Sequence, residues 1–399
     1  MKGRVLVFLC LALIAFLFVP FVNLGFRQVK TEEGTWWSRS SLYNIDFALP
    51  FVNLFLYHAG ISTKPEQVVI GKSGWLYLGD QYRETITAKR FGPTEKDREA
   101  ARNISLAARS WETYLKQRGV RLYRVILAPD KATVYPEFLP DWAKPAPRTA
   151  TDALLACVSP DIYVDGRPAL RAAKTEFSEP LYYKTDTHWD SLGAWVAFRA
   201  FAAEIAEDEP ELRLLSEKQI RIGNVRDRQG GGLANLLRIK EKLRDDEVPV
   251  RIVMSAPVET EQYDYETGRL KSSGGNPGVM TPTSPLLVKS ENALNRKRVI
   301  WLRDSFGFAM APFMAAMFTD VLQLHYVNAD PACLAGLVDD FDPDYVFITA
   351  VERDARSSLF ENLPPASASF NGSTRLASLD GGDGRPGRAP VSPFARVLF

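Results

Sequence analysis

The 399 residues carry 49 Lys and Arg against 48 Asp and Glu, a formal net charge of +1, and 46% are hydrophobic. So even a balance leaves no basic surplus to condense onto phosphate backbones, which excludes nucleic acid as an expected partner. The apolar content suffices for one large α/β domain flanked by an anchor and a tail.

Val5 to Phe26 is free of charge, and about 22 residues at a rise of ~1.5 Å give roughly 33 Å, enough to cross the ~30 Å hydrocarbon layer. Phe18, Val19, Pro20 and Phe21 stand where a cleavage site would need small residues, so residues 1–30 read as an uncleaved transmembrane anchor. Lys2 and Arg4 precede the span without an acid, whereas Arg27 and Lys30 are offset by Glu32 and Glu33, which keeps the N-terminus cytoplasmic. The expected topology is a single pass through the cytoplasmic (inner) membrane, with the rest of the chain in the periplasm.

Asn44 to Tyr57 is apolar enough to lie against either the membrane or the domain, and Gly71 to Asp80 (GKSGWLYLGD) has the pattern of a β-hairpin. Pro93 to Arg118 reads as a surface helix and Val120 to Ala128 as a strand, a succession that predicts a parallel α/β sheet. Thr151–Cys157 (helix), Ile162–Val164 (strand), Pro168–Lys174 (helix) and Ser191–Ile205 (helix) continue it. From about 215 to 295 the pattern loosens into a loop-rich, partly β insertion containing the run Gly230 to Gly232. Arg298–Leu302, Phe306–Met317, Val321–Tyr326, Ala332–Asp339 and Tyr345–Thr349 then predict two successive β-α-β units. The domain is expected to span 31–363, followed over 364–399 by a Pro-, Ser- and Gly-rich tail of low order.

Cys10 falls in the anchor, and Cys157 and Cys333 are far apart without C-x-x-C spacing, so no cysteine-built metal or redox centre is expected. The pair could form one disulfide in an oxidising compartment, and two buried thiols explain the sequence equally well. No cofactor is implied.

Chemistry concentrates in two places. Ser305 sits between a strongly apolar strand and the following helix, where a hydroxyl is exposed at the carboxyl edge of a sheet and backbone N–H groups can stabilise an oxyanion. Asp304 and Ser305 also suit a plain helix cap. The second place is Asp186-Thr187-His188. The chain has three histidines; His58 lies in the membrane-proximal segment and His325 in a predicted strand, which leaves His188 as the base for a serine nucleophile near neutral pH. In an extended segment Asp186 points to the same side as His188 and can hold its tautomer. A capping role for Asp186 and Asp190, with His188 packed under Trp189, fits the same residues.

Taken together, GKSGWLYLGD, APDKATVYPEFLP (128–140), KTDTHWDSLGAW (184–195), RDSFG (303–307) and PDYVFITAVER (343–353) resemble the alginate O-acetyltransferase family, the AlgJ/AlgX type of SGNH hydrolase-like protein, over roughly 65–355. The resemblance implies an SGNH-like three-layer α/β domain with a parallel sheet and a circularly permuted motif order, Asp-x-His before Ser. It implies Ser305 as nucleophile, His188 as general base and Asp186 as its orienting carboxylate. Acetyl would pass through Ser305 to a hydroxyl of an extracytoplasmic polysaccharide, with a multi-pass membrane O-acyltransferase as supplier. Lys131, Tyr135, Glu352 and Arg353 also match the family pattern but have ordinary structural explanations. Arg303 stands where SGNH proteins commonly have Gly, and the chain ends without the carbohydrate-binding module some members carry. A carbohydrate O-acetyl esterase would use the same triad with water as acceptor. A non-catalytic polysaccharide-binding subunit of a secretion complex is the alternative from another class. A metal-dependent deacetylase lacks the further ligands it would need.

Overall fold

A computed structural model describes residues 2–25 and 39–366. Its centre is an eight-stranded sheet built from β1 (Leu122–Ala128), β2 (Tyr163–Asp165), β3 (Glu259–Asp264), β4 (Leu270–Ser273), β5 (Leu286–Glu291), β6 (Asn295–Arg303), β7 (Phe318–Leu324) and β8 (Tyr345–Val351). The spatial order is β4-β3-β5-β7-β6-β8-β1-β2. Strands β7, β6, β8, β1 and β2 run parallel, and β5, β3 and β4 extend the sheet antiparallel beyond β7. This is an α/β fold with a mixed, mostly parallel sheet.

The parallel strands read as continuous apolar runs because both their faces are covered. Val299 and Trp301 of β6 and Tyr345 and Phe347 of β8 join one core with the helices Arg167–Glu176, Ser191–Asp208 and Gly307–Met317. Ile300 and Leu302, and Val346 and Ile348, join a second core on the opposite face with the helices Glu95–Lys116, Ala150–Cys157 and Pro331–Phe341. Each strand thus divides its side chains between the cores with period two. The helices start where local chemistry satisfies their first N–H groups: Thr94 and Asp97 form a capping box for Glu95–Lys116, and Asp330 accepts from Cys333 N–H ahead of Pro331. The connection β6 to β7 crosses one face, the connection β7 to β8 the other, and β8 lies on the far side of β6 from β7. The carboxyl end of β6 therefore sits where the strand order reverses, the usual ligand position in open α/β sheets.

The predicted hairpin is Val68–Ile70 paired antiparallel with Leu76–Leu78. Two departures from the sequence reading have physical causes. The segment 215–295 includes β3, β4 and β5, which complete the central sheet; these strands have an exposed face, and β4 is the edge, so they lack the apolar runs of the centre. His325 lies just beyond β7, where its Nδ1 accepts from Val327 N–H and begins a turn of 3₁₀ helix. Cys157 and Cys333 are free thiols. At the N-terminus, the helix Lys2–Gly25 contains a 21-residue stretch, Val5–Gly25, long and apolar enough to cross a membrane as a signal or an anchor. The predicted anchor's last residues, 26–30, and the tail from 367 onward lie outside the described residues.

Candidate active site

Ser305 follows β6 directly. Its turn is held by Asp304, whose Oδ1 accepts from Phe306 N–H at 2.9 Å and whose Oδ2 accepts from Val351 N–H at 2.8 Å and Tyr326 Oη–H at 3.1 Å. Burial pushes the Asp304 carboxyl above the usual carboxylate range. Gly307 is required here because a Cβ would lie 2.2 Å from Arg303 Cδ. Arg303 itself is fully buried, donating to Gln323 Oε1 at 2.8 Å and to the carbonyls of Val279, Met280 and Asp304. It ties the segment around 279–280 to the base of the Ser305 turn, a task for which glycine has no side chain. The N–H of Ser305 takes part in none of the turn's hydrogen bonds.

The loop 183–189 meets this turn from the other side. Trp189 Nε1–H donates to the Phe306 carbonyl at 2.9 Å, and the two rings pack edge to face at 5.0 Å. His188 Nε2 then lies 2.8 Å from Ser305 Oγ, and His188 Nδ1 lies 2.7 Å from Asp186 Oδ1. An ionised carboxylate only accepts, so Nδ1 carries the proton and Nε2 is left to accept from the Ser305 hydroxyl. All three predicted site residues are thus brought together, although they are up to 119 positions apart in numbering (305 minus 186).

The pairing of Asp186 with His188 does not come from an extended segment. Asp186 Oδ1 also accepts from Thr187 N–H at 2.7 Å and His188 N–H at 3.3 Å, so the carboxylate caps a tight turn of its own chain. Its other oxygen accepts from Gly232 N–H at 2.7 Å. Burial alone would raise the Asp186 pKa, but the hydrogen bond and charge of His188, the Gly232 N–H and the Lys131 charge outweigh it and hold the group well below the carboxylate range. Asp190, not Asp186, caps the following helix, accepting from Gly193 N–H at 2.9 Å.

Of the residues that hold this loop, sequence reasoning marked Lys131 as structural without its partners and gave no role to Asp245. Lys131 Nζ reaches the carbonyls of Tyr183, Lys184 and Asp186 at 2.9, 2.9 and 2.5 Å, matching the three donors of an ammonium one for one. Burial pulls its pKa down to about 7, against the charges of Asp245 and Asp186. Asp245 accepts the N–H groups of Lys184 and Thr185 at 2.9 and 2.7 Å, and Gly231 N–H donates to Thr185 Oγ1 at 2.7 Å. The triple-glycine run was the available signal: a Cβ on Gly231 would stand 2.4 Å from Asp186 Oδ2. Glu352 accepts from Asp130 N–H, Thr133 and Thr151, while Arg353 and Lys89 pair with Asp130. These ties bind the ends of β1 and β8. Tyr135 Oη accepts from Leu181 N–H. His58 is exposed and His325, its pKa lowered to about 4 by burial, is engaged elsewhere.

Ser305 and His188 open into a cavity of about 450 Å³. Its lining includes the apolar Val250, Phe308, Pro312 and Phe313 and the polar Tyr183, Arg228, Glu247 and Asn276. Among the described residues no group of three or more His, Cys, Asp or Glu side chains could hold a metal ion. A serine hydroxyl bonded to a neutral imidazole that is itself bonded to a buried carboxylate can be acylated and deacylated without one.

Residues 68–270 match the family model for the SGNH hydrolase-like domain of acetyltransferase AlgX, a stretch that includes Asp186 and His188 and ends before Ser305. A probable alginate O-acetylase AlgJ of Pseudomonas aeruginosa is 30% identical over 195 residues, 45% of this chain and 43% of the relative, so the match spans less than half of that protein. Among solved structures, Bacillus cereus PatB1 with a sulfonyl adduct is similar with a TM-score of 0.53 at 15% identity, covering 74% of this chain and 99% of that one. A DHHW family protein from Eubacterium siraeum is similar with a TM-score of 0.50 at 17% identity, covering 75% and 100%. At such identities the structural likeness speaks for the fold. The half-chain match to the family model identifies the chain as a member of the AlgX/AlgJ family of SGNH hydrolase-like acetyltransferases.

Proposed function

We propose that this protein is an O-acetyltransferase acting on an extracytoplasmic polysaccharide through an acetyl-Ser305 intermediate. The observation that carries the reading is the relay of 2.8 Å from Ser305 Oγ to His188 Nε2 and 2.7 Å from His188 Nδ1 to Asp186. Ser305 Oγ attacks the carbonyl carbon of an acetyl donor while its proton passes to His188 Nε2. The donor's leaving group departs with that proton, leaving acetyl on Oγ. A sugar hydroxyl then attacks the acetyl carbon, gives its proton to His188, and Ser305 recovers it as the acetylated sugar leaves. Asp186 stabilises the imidazolium in both halves. The Ser305 N–H, which the turn leaves without a hydrogen bond, serves in this reading as a backbone donor for the oxyanion.

A cavity of about 450 Å³ lined by both apolar and polar side chains is large enough for a sugar residue beside the acetyl group, as transfer to a polysaccharide hydroxyl requires. The N-terminal apolar helix serves in this reading as an uncleaved anchor over residues 1–30. The domain 31–363, its Asp-x-His ahead of its Ser in permuted order, and the tail 364–399 then lie in the periplasm. The acetyl group comes from a multi-pass membrane O-acyltransferase.

The test incubates the protein with p-nitrophenyl acetate and an oligosaccharide acceptor, and compares wild type with Ser305→Ala and His188→Ala by mass spectrometry. Acetylated sugar from wild type alone supports the reading. Acetate released only to water makes it an esterase, and equal inertness of all three makes it a non-catalytic polysaccharide-binding subunit.

A further inference from the structure

The helix Leu49–His58 rests on the domain by one side only. Leu54 and Tyr57 pack against the core around Val68 and Leu76, and Asn53 Nδ2 donates to the Leu237 carbonyl at 2.8 Å. None of its residues is fully buried. Phe51, Val52 and Phe55 form the opposite face, at 63, 50 and 73% exposure, with Ile45 before them at 53%. Phe55 stands four positions after Phe51 and three after Val52, which puts these three side chains on one stripe. A soluble protein seldom gathers large apolar side chains this way on a helix whose orientation is fixed.

Two observations say what covers this stripe. The first is continuity with the apolar helix Val5–Gly25: exposed Ile45 follows twenty positions after Gly25 (45 minus 25), and the Asn23 carboxamide donates to the carbonyls of Leu42 and Asn44 at 2.8 Å each. The second is charge. Lys242 is exposed, without an ion pair among the described residues, and its Nζ lies 4.7 Å from the centre of the Phe51 ring, while the nearby acid Asp46 is paired with Arg238. Apolar side chains with an unpaired lysine at their edge suit a surface that is apolar within and anionic at its rim.

We infer that the Phe51, Val52 and Phe55 face of helix Leu49–His58 docks into the headgroup boundary of the anionic bilayer that holds the N-terminal helix. The inference rests on the anchor reading under Proposed function and adds an orientation to it. The helix Gly232–Leu236 links this surface to the active site, since Gly232 N–H holds Asp186 at its start and the Leu237 carbonyl beyond its end holds Asn53. Five residues span about 8 Å of helix. Docking therefore sets the active site at a fixed height near the bilayer, where an acetyl group delivered through the membrane emerges.

The experiment uses the full chain in proteoliposomes of phosphatidylethanolamine and phosphatidylglycerol, with an environment-sensitive fluorophore on one cysteine and spin-labelled lipids as quenchers. In a Cys157→Ser/Cys333→Ser background one sample carries the label on native Cys10 and the other on Phe55→Cys with Cys10→Ser. Blue-shifted emission and several-fold quenching at both positions, lost at Phe55→Cys when Phe51→Asp and Val52→Asp are added, is the expected result. Quenching at Cys10 with water-like emission at Phe55→Cys overturns the inference and leaves the anchor standing. No quenching at Cys10 overturns both. Shielding of Phe55→Cys in native membranes but not in pure lipid also overturns it, in favour of a protein partner.

Discussion

Gly231→Ala isolates the geometry of Asp186 from its chemistry. Gly231 has φ −88° and ψ −160°, open to any residue, so alanine brings no backbone strain. Its Cβ would stand 2.4 Å from Asp186 Oδ2, 2.5 Å from Asp186 Cβ and 2.8 Å from Asp186 Cγ. Contact with Cβ means that a rotation of the carboxylate cannot relieve the clash, and the loop must shift by about an ångström to reach ordinary separation. A misplacement of that size costs about 10²-fold in rate, and complete loss of the orienting carboxylate about 10⁴-fold in the serine-protease case, which bracket the expected fall in kcat/KM. Restricting the unfolded chain offsets about 0.4–1 kcal/mol of the cost of the clash. The assay is p-nitrophenyl acetate turnover with thermal unfolding alongside, and Gly336→Ala, where a Cβ meets nothing within 4 Å, is the control. A folded Gly231→Ala with activity within about threefold of wild type would refute the role assigned to the Asp186–His188 contact.

Three further outcomes are expected. Lys131→Met leaves three loop carbonyls without their donor, and at ~1–3 kcal/mol for each buried group left unsatisfied, softened by entering water, the net loss is about 2–4 kcal/mol by urea unfolding. Lys131→Arg does not restore activity, because a planar fork cannot converge on three carbonyls as an ammonium does. Burial pushes the Asp190 carboxyl up to about 7 from an unfolded value of ~3.9, so the native state binds more protons between these limits. The Asp190 contribution is then fully present near pH 4 and is lost as pH rises to about 7. Unfolding free energies across that range must show wild type losing stability relative to Asp190→Asn, and a flat difference contradicts the assignment. Chelators leave turnover unchanged; a loss restored by added metal contradicts a metal-free mechanism.

The parts of the fold legible in the sequence are those where burial acts on both faces. VIWL of β6 and YVFI of β8 are apolar and buried on both sides because each face meets a core. Glu259–Asp264 and Leu270–Ser273 are just as much strands of the sheet, yet their exposed residues leave a polar pattern that reads as loop. At the site, Asp186, His188 and Ser305 were legible as residue types that need one another. The turn through which Asp186 reaches His188 was not, since it depends on Gly232 N–H and on Lys131, tens of positions away. Lys131 looked like an ordinary buried cation because its partners are backbone carbonyls, which no side-chain pattern reveals. The apolar segment 44–57 matched both a core and a membrane reading, and helix Leu49–His58 proves to be held by one face and exposed on the other.

The most direct measurement is peptide mass spectrometry of the protein quenched during turnover with an acetyl donor. A mechanism through Ser305 predicts an acetyl increment on the peptide containing Ser305, built up when acceptor is withheld, discharged when oligosaccharide is added, and missing in His188→Ala. Acetylated sugar formed with no acetyl ever found on Ser305, or formed by Ser305→Ala at the wild-type rate, would contradict it.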